Sequence, residues 1–444
     1  MSIKPPVNTN YCATVVKISQ IVKLENCDNV VAAIVSGYQV IVDKNMKIGD
    51  IGIFFPVETK LSEKFCKENN QNTDPTLNAD TTKKGYVSKG RLKCLRFRGH
   101  KSEGLFMGLN SLKSFANESD INSLEVGAEF DHLNGEKICE KYTVMNSNGT
   151  AQRGDTKKQS RYKKGEVKLS RLVDNQFQLH CDTIQLKKNM HKIAPQDFIS
   201  ISCKFHGTSA VTARPLITRK LKWYEKLAEK FGVKVQQNEH GLVYSSRNII
   251  KNKYHAQVKE YSEPDDLWYI TAKKLEGVIP DGVSLYYEIV GYQPSGKCVQ
   301  KGYHYGCKSG EHKIVVYRIT QVNTSGKFIE YSWNQIKQFC KKYGIEHVPE
   351  YYYGYAKDLF PDIKVDETWH DNVLSRLNTS FNMEKMCEYN NNEVPAEGVV
   401  VRIDDLDEFK AMKLKAYKFL EKETKDLDSG EVDIESSQQV ETNE

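Results

Sequence analysis

The sequence has no long apolar run and no pair of cysteines at metal-binding spacing. No stretch of its 444 residues is apolar enough to span a bilayer, and residues 1–6 lack the basic and apolar regions of a secretion signal. Its eleven cysteines include no Cys-x-x-Cys pair, and Cys298 and Cys307 have no partners at zinc-site spacing. We therefore expect reduced thiols and an intracellular, cytoplasmic or nuclear protein without a membrane partner.

The composition is that of a folded, moderately basic chain. Hydrophobic residues make up 39% and charged residues 27%, and the formal net charge is +6. Because the segment after Glu421 is acidic, the rest of the chain is more basic than this total indicates. A phosphate-rich partner fits this balance, but net charge does not separate a nucleic acid from a nucleotide. The length allows two or three domains.

Short apolar runs separated by glycine and asparagine dominate the N-terminal part. Their spacing predicts strands over residues 15–18, 30–35, 38–42 and 51–55. Several short strands in this arrangement are typical of a small β-barrel. We therefore predict an N-terminal barrel domain over residues 1–135.

A basic run at residues 90–101 follows in the same predicted domain. Arginines and lysines alternate there with apolar residues, so that on a strand the charges would share one face. An oligonucleotide-binding (OB) barrel needs such a face, whereas a solvated strand would show the same pattern. On the first interpretation the nucleic-acid-binding residues are Arg91, Lys93, Arg96 and Arg98.

The remaining chain divides into three predicted segments. Residues 136–170 are polar and basic, which indicates a linker that either follows a phosphate backbone or is only a soluble hinge. Residues 171–424 alternate strand-like and helical patterns, with helices predicted at 223–231 and at 333–343, where Gly344 is the C-cap. Residues 425–444 are acidic and lack aromatics, which predicts a disordered tail.

The most informative residue is Lys204, at the end of the apolar, β-like run 198–203. A lysine in this position can be partly desolvated and so can act as a neutral amine, and Gly207 allows a phosphate to come close. The pattern therefore indicates a nucleophile that forms a covalent nucleotidyl enzyme. One such pattern also arises by chance in a lysine-rich chain, so its weight depends on other motifs.

Five further patches follow Lys204 in a fixed order, at residues 245–248, 286–291, 315–319, 397–402 and 412–415. Together they resemble the ordered motifs I, Ia, III, IIIa, IV and V of the lysine-adenylating nucleotidyltransferases. Within that superfamily the sequence is similar to the RNA ligases typified by the Deinococcus and Naegleria enzymes, which carry an OB domain before the adenylating domain. The resemblance extends over about residues 11–424.

The resemblance implies an α+β fold, with an N-terminal OB-type β-barrel followed by a mixed α/β adenylating nucleotidyltransferase (ATP-grasp-like ligase) domain. It implies an ATP-dependent RNA ligase that uses Mg²⁺ or Mn²⁺ and seals a 3′-hydroxyl to a 5′-phosphate. The implied partner is RNA, as a nicked duplex or as free ends, in RNA repair. We expect the protein to act as a monomer.

The family motifs also imply roles for individual residues. Lys204 would become adenylated, and Glu288 and Glu397 would contact ribose hydroxyls and the hydration shell of a divalent metal. Lys413 and Lys415 alternate on a strand and would meet the α-phosphate and the leaving pyrophosphate. From the residues alone, the two glutamates could instead form buried ion pairs.

The nucleotide-binding residues implied by the family are His206, Gly207, Arg247 and Tyr317. Arg247 would contact the ribose or the RNA terminus, and Tyr317 would stack on adenine. A surface arginine and a core tyrosine are the respective alternatives. His206 departs from the family, since the Deinococcus and Naegleria enzymes have aspartate there and phage and kinetoplastid RNA ligases have histidine. Because histidine supplies no anion, the family's metal arrangement does not carry over directly.

Three other functions use parts of the same pattern. An mRNA-capping guanylyltransferase employs the same lysine chemistry with GTP but carries its barrel after motif V, and an acidic tail follows Lys415 here. A DNA ligase differs mainly in how it senses the sugar of the 3′-hydroxyl strand. A catalytically inactive RNA-binding protein would not need the lysines and glutamates that are all present.

Overall fold

Two β-rich domains follow one another along the chain. The computed structural model describes residues 3–143, 171–251, 266–381 and 384–430. The helices of the N-terminal domain are α1 (Glu63–Glu68) and α2 (Glu118–Asn122). Its strands are β1 (Ile3–Lys4), β2 (Ala13–Lys23), β3 (Val30–Val35), β4 (Tyr38–Asp43), β5 (Ile51–Pro56), β6 (Thr59–Leu61), β7 (Leu95–Phe97), β8 (His100–Ser102), β9 (Gly104–Gly108), β10 (Glu129–Phe130), β11 (His132–Leu133), β12 (Glu136–Lys137) and β13 (Cys139–Lys141).

The N-terminal strands form a nearly closed OB barrel, as the sequence predicts. The main sheet has the order β4-β3-β2-β5-β9, and β10 pairs with β2. The backbone N–H of Gln39 donates to Glu103 Oε2 at 3.0 Å, and the N–H of Glu103 donates to the Gln39 carbonyl at 2.8 Å. These bonds join β4 to the chain just before β9, so the sheet curls back on itself. The four predicted strands correspond to β2, β3, β4 and β5.

The C-terminal domain contains the remaining elements. Its helices are α3 (Leu186–Asn189), α4 (Trp223–Lys230), α5 (Leu267–Leu275), α6 (Trp333–Tyr343), α7 (Trp369–Ser380) and α8 (Tyr417–Asp428). Its strands are β14 (Ile184–Gln185), β15 (Phe198–Lys204), β16 (Thr208–Ala213), β17 (Leu216–Thr218), β18 (Asn238–His240), β19 (Val243–Ser245), β20 (Val283–Gly291), β21 (His312–Val322), β22 (Phe328–Glu330), β23 (Glu346–His347), β24 (Glu350–Tyr355), β25 (Gly398–Ile403) and β26 (Lys410–Lys415).

These strands form two sheets, and the chain crosses from one to the other just after Lys204. The first sheet has the order β14-β26-β25-β15-β24, and the second β19-β16-β20-β21-β22 with β23 beside β21. β15 ends at Lys204 and β16 begins at Thr208. Separate apolar cores lie against each sheet, one with α3 and α7 and the other with α5 and α6. The crossing therefore lies between two rigid layers.

Local sequence signals explain the predicted helices. Ser332 accepts from the N–H of Gln335, whose side chain accepts in turn from the N–H of Ser332, so a capping box starts α6. Gly344 ends this helix with φ 64°, a left-handed conformation in which glycine is favoured. The helix predicted at 223–231 is α4. Both helices are present where the sequence predicts them.

The domain boundaries differ from the predicted ones. β12 and β13 lie within the predicted linker, and β13 pairs with β6 of the barrel, so the barrel domain extends at least to Lys141. Helix α8 continues to Asp428, four residues beyond the predicted end of the domain at residue 424, because the barrel supplies partners for its acidic residues. Residues 144–170 of the linker and 431–444 of the tail lie outside the described residues.

Helix α8 contacts both domains. Tyr417 Oη donates to the carbonyl of Leu95 at 2.6 Å, and Thr424 Oγ1 donates to Glu58 Oε1 at 3.1 Å. Within the ranges that the structure describes, no helix is long and apolar enough to cross a bilayer. The eleven cysteines are free thiols.

Candidate active site

The register of three adjacent strands builds one wall of a cavity. Lys204 of β15 lies opposite Gly398 of β25, and Gly398 lies opposite Lys415 of β26. One row further along, Val400 lies between Ser202 and Lys413. Since residues two apart on a strand share a face, Lys204, Lys413 and Lys415 point into the same cavity. Three sequence-predicted lysines therefore come together.

Lys204 is held by Glu397, the residue before β25. Its Nζ donates to Glu397 Oε1 at 2.6 Å, and the side chains are 21% and 4% exposed. The second carboxylate oxygen, Oε2, is buried and has no hydrogen-bond partner among the described residues. Gly398 has φ 138°, and a Cβ there would collide with the carbonyl of Leu414. Glycine thus allows the close strand contact beside this pair.

The crossing after Lys204 leaves no space for a side chain at Gly207. A Cβ there would meet the carbonyl of Ile289, and Gln300 Nε2 donates to the Gly207 carbonyl at 2.8 Å. Glu288 reaches the cavity from β20, where it is paired with Ser209 of β16. The second sheet therefore brings Glu288 to the same cavity as Glu397.

His206 lies in an aromatic setting. Its ring is edge-on to Tyr303, with ring centres 4.9 Å apart, and to Phe419, at 5.0 Å. Its backbone N–H donates to Tyr305 Oη at 2.7 Å. On helix α8, burial opposes ionisation of Glu423, but Lys415 and, after it, His206 outweigh burial and lower the pKa of this carboxyl. Two rings and a carboxylate therefore surround this histidine.

The two lysines of β26 have opposite electrostatic surroundings. Burial, followed by the positive charges of Lys415 and Lys204, lowers the pKa of Lys413 to about 7. Burial also disfavours the charge of Lys415, but Glu423, 2.9 Å away, outweighs it and raises the pKa of this lysine. Lys415 is thus neutralised by a partner, whereas Lys413 lies near other cations.

Arg247 and Tyr317 line the same cavity and are linked through two residues that the sequence did not single out. Arg247 forms an ion pair with Asp182. His180 Nε2 lies 3.4 Å from Asp182 Oδ1, and its Nδ1 is 2.9 Å from Tyr317 Oη. Burial opposes ionisation of Asp182, but His180 and Arg247 outweigh it and lower the pKa of this carboxyl.

A β-bulge directs the Tyr317 side chain. Tyr286 pairs with Arg318 and Tyr287 pairs with Val316, so Tyr317 is the extra residue between them. The ring is half-buried at the cavity.

The barrel domain completes the cavity, whose volume is about 920 Å³. It contributes Tyr11, Glu58, Lys141 and Tyr142. Burial, followed by the charge of Arg247, lowers the pKa of Lys141. Sequence reasoning missed Lys141 because it lies in the segment predicted to be a linker, with no local motif to mark it.

Arg402 is a second missed residue, on the same face as Val400. Its side chain is 4% exposed, and Nη2 donates to the carbonyl of Tyr331 at 2.6 Å. Its Nε and Nη1 are buried without a hydrogen-bond partner among the described residues. The motif patch 397–402 contains Arg402, but nothing in its spacing indicates a buried cation.

The basic run predicted as one strand is a hairpin. Arg98 and Gly99 have φ 49° and 87°, and these left-handed residues reverse the chain between β7 and β8. The expected alternation over residues 90–101 is therefore wrong beyond the turn. Arg98 is exposed there and donates to the carbonyl of Asn26.

Three of the four residues predicted to bind nucleic acid pair with carboxylates. Arg91 and Lys93 lie 2.8 and 2.9 Å from Asp428, and Arg96 lies 2.6 Å from Glu421. These acidic residues belong to α8, whose last four residues, Asp428 among them, the sequence placed in the tail. RNA binding by Arg91, Lys93, Arg96 and Arg98 stays a prediction, and for the first three it competes with ion pairs that already exist.

The cavity has carboxylates that can bind a metal ion, but the described side chains do not form a complete coordination site. Glu288 and Glu397 both line it. In the part of the chain that the structure describes, no group of three or more histidine, cysteine or acidic side chains has metal-binding geometry. A cation bound here would need oxygens from water or phosphate to complete its coordination, which is the usual habit of Mg²⁺.

Comparisons with known proteins agree with this arrangement. Residues 199–419 match the RNA ligase family model, and residues 12–109 match an OB-fold domain model. No curated protein sequence matches the chain significantly.

Several solved structures share the fold over most of the chain. A Naegleria gruberi RNA ligase mutant with AMP and Mn is 15% identical, with a TM-score of 0.57 over 92% of this chain and 98% of that one. The N. gruberi ligase with PPi has a TM-score of 0.57 and 15% identity, over 94% of this chain and 100% of that one. A mutant of the N. gruberi ligase with ATP and Mn has a TM-score of 0.54 and 15% identity, over 94% of this chain and 100% of that one. Residues 199–419 of the chain are thus similar in sequence to the RNA ligase family, and an OB-fold domain precedes them.

Proposed function

We propose that this protein is an ATP-dependent RNA ligase that joins an RNA 3′-hydroxyl to a 5′-phosphate. One observation carries the proposal: the register of β15, β25 and β26 brings Lys204, Lys413 and Lys415 to one wall of the cavity, with Glu397 hydrogen-bonded to Lys204. A nucleophilic amine beside phosphate-binding cations is what nucleotidyl transfer requires. The N. gruberi structures with ATP, AMP or PPi support the same nucleotide here.

In the first step Lys204 attacks the α-phosphorus of ATP as a neutral amine. A P–N bond forms while the bond to the β-phosphate oxygen breaks, and pyrophosphate leaves. Glu397 is 2.6 Å from the amine, within the range at which a carboxylate can accept its proton. The product is a covalent lysyl-AMP.

The cations around Lys204 stabilise the charge that moves onto the pyrophosphate. Lys413, Lys415 and Arg247 line the cavity, and Lys141 joins them from the barrel. Because Lys415 and Arg247 are already held by Glu423 and Asp182 before ATP binds, they need little reorganisation during the reaction. Lys141 makes the barrel a participant in adenylation in this proposal.

The nucleoside end of ATP would lie toward the bulge at Tyr317. Adenine stacks on this ring, which needs only a flat apolar face. Glu288 and Glu397 would bind ribose hydroxyls or a hydrated divalent cation, Mg²⁺ or Mn²⁺. The buried Oε2 of Glu397, without a hydrogen-bond partner among the described residues, fits such a cation. When bound, the cation neutralises charge on the phosphates.

Two further transfers complete the proposed reaction. An oxygen of the RNA 5′-phosphate attacks the phosphorus of the lysyl-AMP, the P–N bond breaks, and an AMP-capped RNA forms. The 3′-hydroxyl then attacks the RNA 5′-phosphorus, and AMP leaves as the phosphodiester closes. We propose nicked RNA duplexes or RNA ends as substrates, with repair as the setting.

Parallel reactions with radiolabelled ATP and GTP test the proposal, followed by joining assays in which RNA or DNA stands separately on each side of a nick. We expect label from ATP that survives denaturation, and joining that requires RNA at the 3′-hydroxyl side. Label from GTP alone would indicate a capping guanylyltransferase, and equal joining of DNA a DNA ligase. RNA binding without a lysine–AMP adduct would indicate an inactive relative.

A further inference from the structure

Helix α4 exposes an apolar stripe to solvent. Trp223, Leu227 and Phe231 follow one another at four-residue spacing, so they lie on one face. They are 77%, 47% and 79% exposed, and no residue of α4 is buried. Single exposed apolar side chains are common, but a continuous stripe with two large aromatic rings is typical of an interaction surface.

Lysines surround this stripe. The segment 216–240 has six basic residues and three acidic ones, a net charge of 6 − 3 = +3. Glu225 is paired with Arg219, and Glu239 is paired with Arg171. Lys222, Lys226 and Lys230 are exposed and form no ion pair with any described residue. The surface therefore combines aromatic rings with a net positive charge.

The helix is carried on a hairpin that is fixed at its base. β17 pairs with β18, and Arg171 Nε donates to the carbonyl of Thr218 at 2.7 Å. After β18 the chain runs directly through β19 to Arg247 in the cavity. The seven steps along the chain from His240 to Arg247 span at most about 25 Å. The base of the hairpin therefore lies within about 25 Å of Arg247.

From these observations we propose that the exposed face of α4 binds an unpaired RNA strand that leads to the cavity, an inference that rests on the proposed function. Aromatic rings stack on bases only where the bases are unstacked, which excludes the interior of a duplex. The lysines between the rings meet the phosphates of the same strand. The substrate class is then an RNA with a single-stranded flank beside the ends to be joined.

The first test compares W223A/F231A with the unmodified protein by fluorescence anisotropy. We expect the affinity for a 5′-phosphorylated single-stranded RNA to fall at least about fivefold, since each stacked base contributes about 1–3 kcal/mol. Affinity for a fully paired nicked RNA duplex and the rate of lysine adenylation should not change. Y86A is the matched control, because Tyr86 is 82% exposed on the barrel domain.

The second test removes the lysine charges beside the stripe. Removing three phosphate contacts in K222A/K226A/K230A should lower the salt dependence of single-strand binding by about 2 in the log–log slope. K341A/K342A, at exposed positions on α6, should leave the slope unchanged. An unchanged slope in the triple variant would overturn the proposal.

If the α4 stripe binds a partner other than RNA, these experiments give different results. Loss of self-association in W223A/F231A, measured by sedimentation velocity, would assign the stripe to a second copy. Loss of binding to phosphatidylserine vesicles would assign it to a lipid surface. Either result without a loss of single-strand affinity overturns the proposal. Failure of the ligase function is seen separately, as a missing lysine–AMP adduct in a protein that still binds RNA through α4.

Discussion

The Nζ of Lys204 lies 2.6 Å from Oε1 of Glu397, in a charge-assisted hydrogen bond. Strand pairing creates this contact, since Lys204 lies opposite Gly398, the residue after Glu397. Glu397 is therefore both the nearest carboxylate to the proposed nucleophile and the group that fixes its direction.

Replacing Glu397 by glutamine tests this relationship. E397Q keeps the shape of the side chain but removes the charge that orients Lys204 and accepts its proton. We expect the rate of lysine adenylation to fall about 100-fold, within the usual range for a positioned acid or base. Gel assays with labelled ATP measure it. E388Q, at an exposed glutamate, is the control, and a full rate in E397Q would contradict the assigned role.

Lys413 predicts a proton uptake when pyrophosphate binds. Its pKa is lowered to about 7, so at pH 8 it is mostly neutral, and a bound anion favours its charged form. Calorimetry at pH 8 in two buffers with different ionisation enthalpies should show uptake in the unmodified protein and less in K413M. Equal uptake in both proteins would contradict the prediction.

The same lysine makes stability depend on pH. In the unfolded chain the pKa of a lysine is about 10.4, so between pH 7 and about 10.4 the unfolded state binds more protons. The contribution of Lys413 to the free energy of unfolding should therefore rise with pH over this window. Urea unfolding of the unmodified protein and K413M should show a slope difference there and none below pH 6.

The surroundings of His206 predict that aspartate does not replace it. An aspartate at this position would lose the edge-on contacts with Tyr303 and Phe419 and would stand near the carboxylate of Glu423. We expect H206D to slow lysine adenylation more than H206N does, because only the first adds a like charge. Adenylation by H206D at the unmodified rate would show that the two side chains are interchangeable.

The barrel contains a buried ion pair, at the place where it meets α8, whose loss should destabilise the protein. Arg91 and Glu58 are 3% and 8% exposed and lie 2.9 Å apart. R91M leaves Glu58 buried without its partner, so we expect the free energy of unfolding to fall by about 3–5 kcal/mol in urea titrations. K93M removes a more exposed pair and should cost about 0–1 kcal/mol. Equal losses of stability in R91M and K93M would contradict the assignment of the buried Arg91–Glu58 pair as the stronger contribution.

Much of the fold was predictable because its signals are local. The four N-terminal strands show apolar runs between turn residues, and α6 has a capping box and a terminal glycine. The boundaries were less predictable. β13 is a strand because β6 lies beside it, and α8 extends to Asp428 because Arg91 and Lys93 face it. These partners are distant in sequence, so no local pattern reveals them.

In the candidate site, too, residues in local motifs were predictable, whereas residues brought in by distant parts of the chain were not. Lys204, Glu397, Lys413 and Lys415 lie in ordered motifs, and the strand register brings them together. His180, Lys141 and Glu423 belong to the cavity only through long-range packing. The prediction of a single strand over residues 90–101 was wrong because the alternating basic and apolar pattern continues through the turn at Arg98 and Gly99.

Mapping the adenylated residue tests the central claim most directly. After incubation with ATP and Mg²⁺, peptide mass spectrometry should find AMP on Lys204 in the unmodified protein and no adduct in K204R, which should also fail to join RNA. An adduct on another residue, or joining by K204R, would contradict the account.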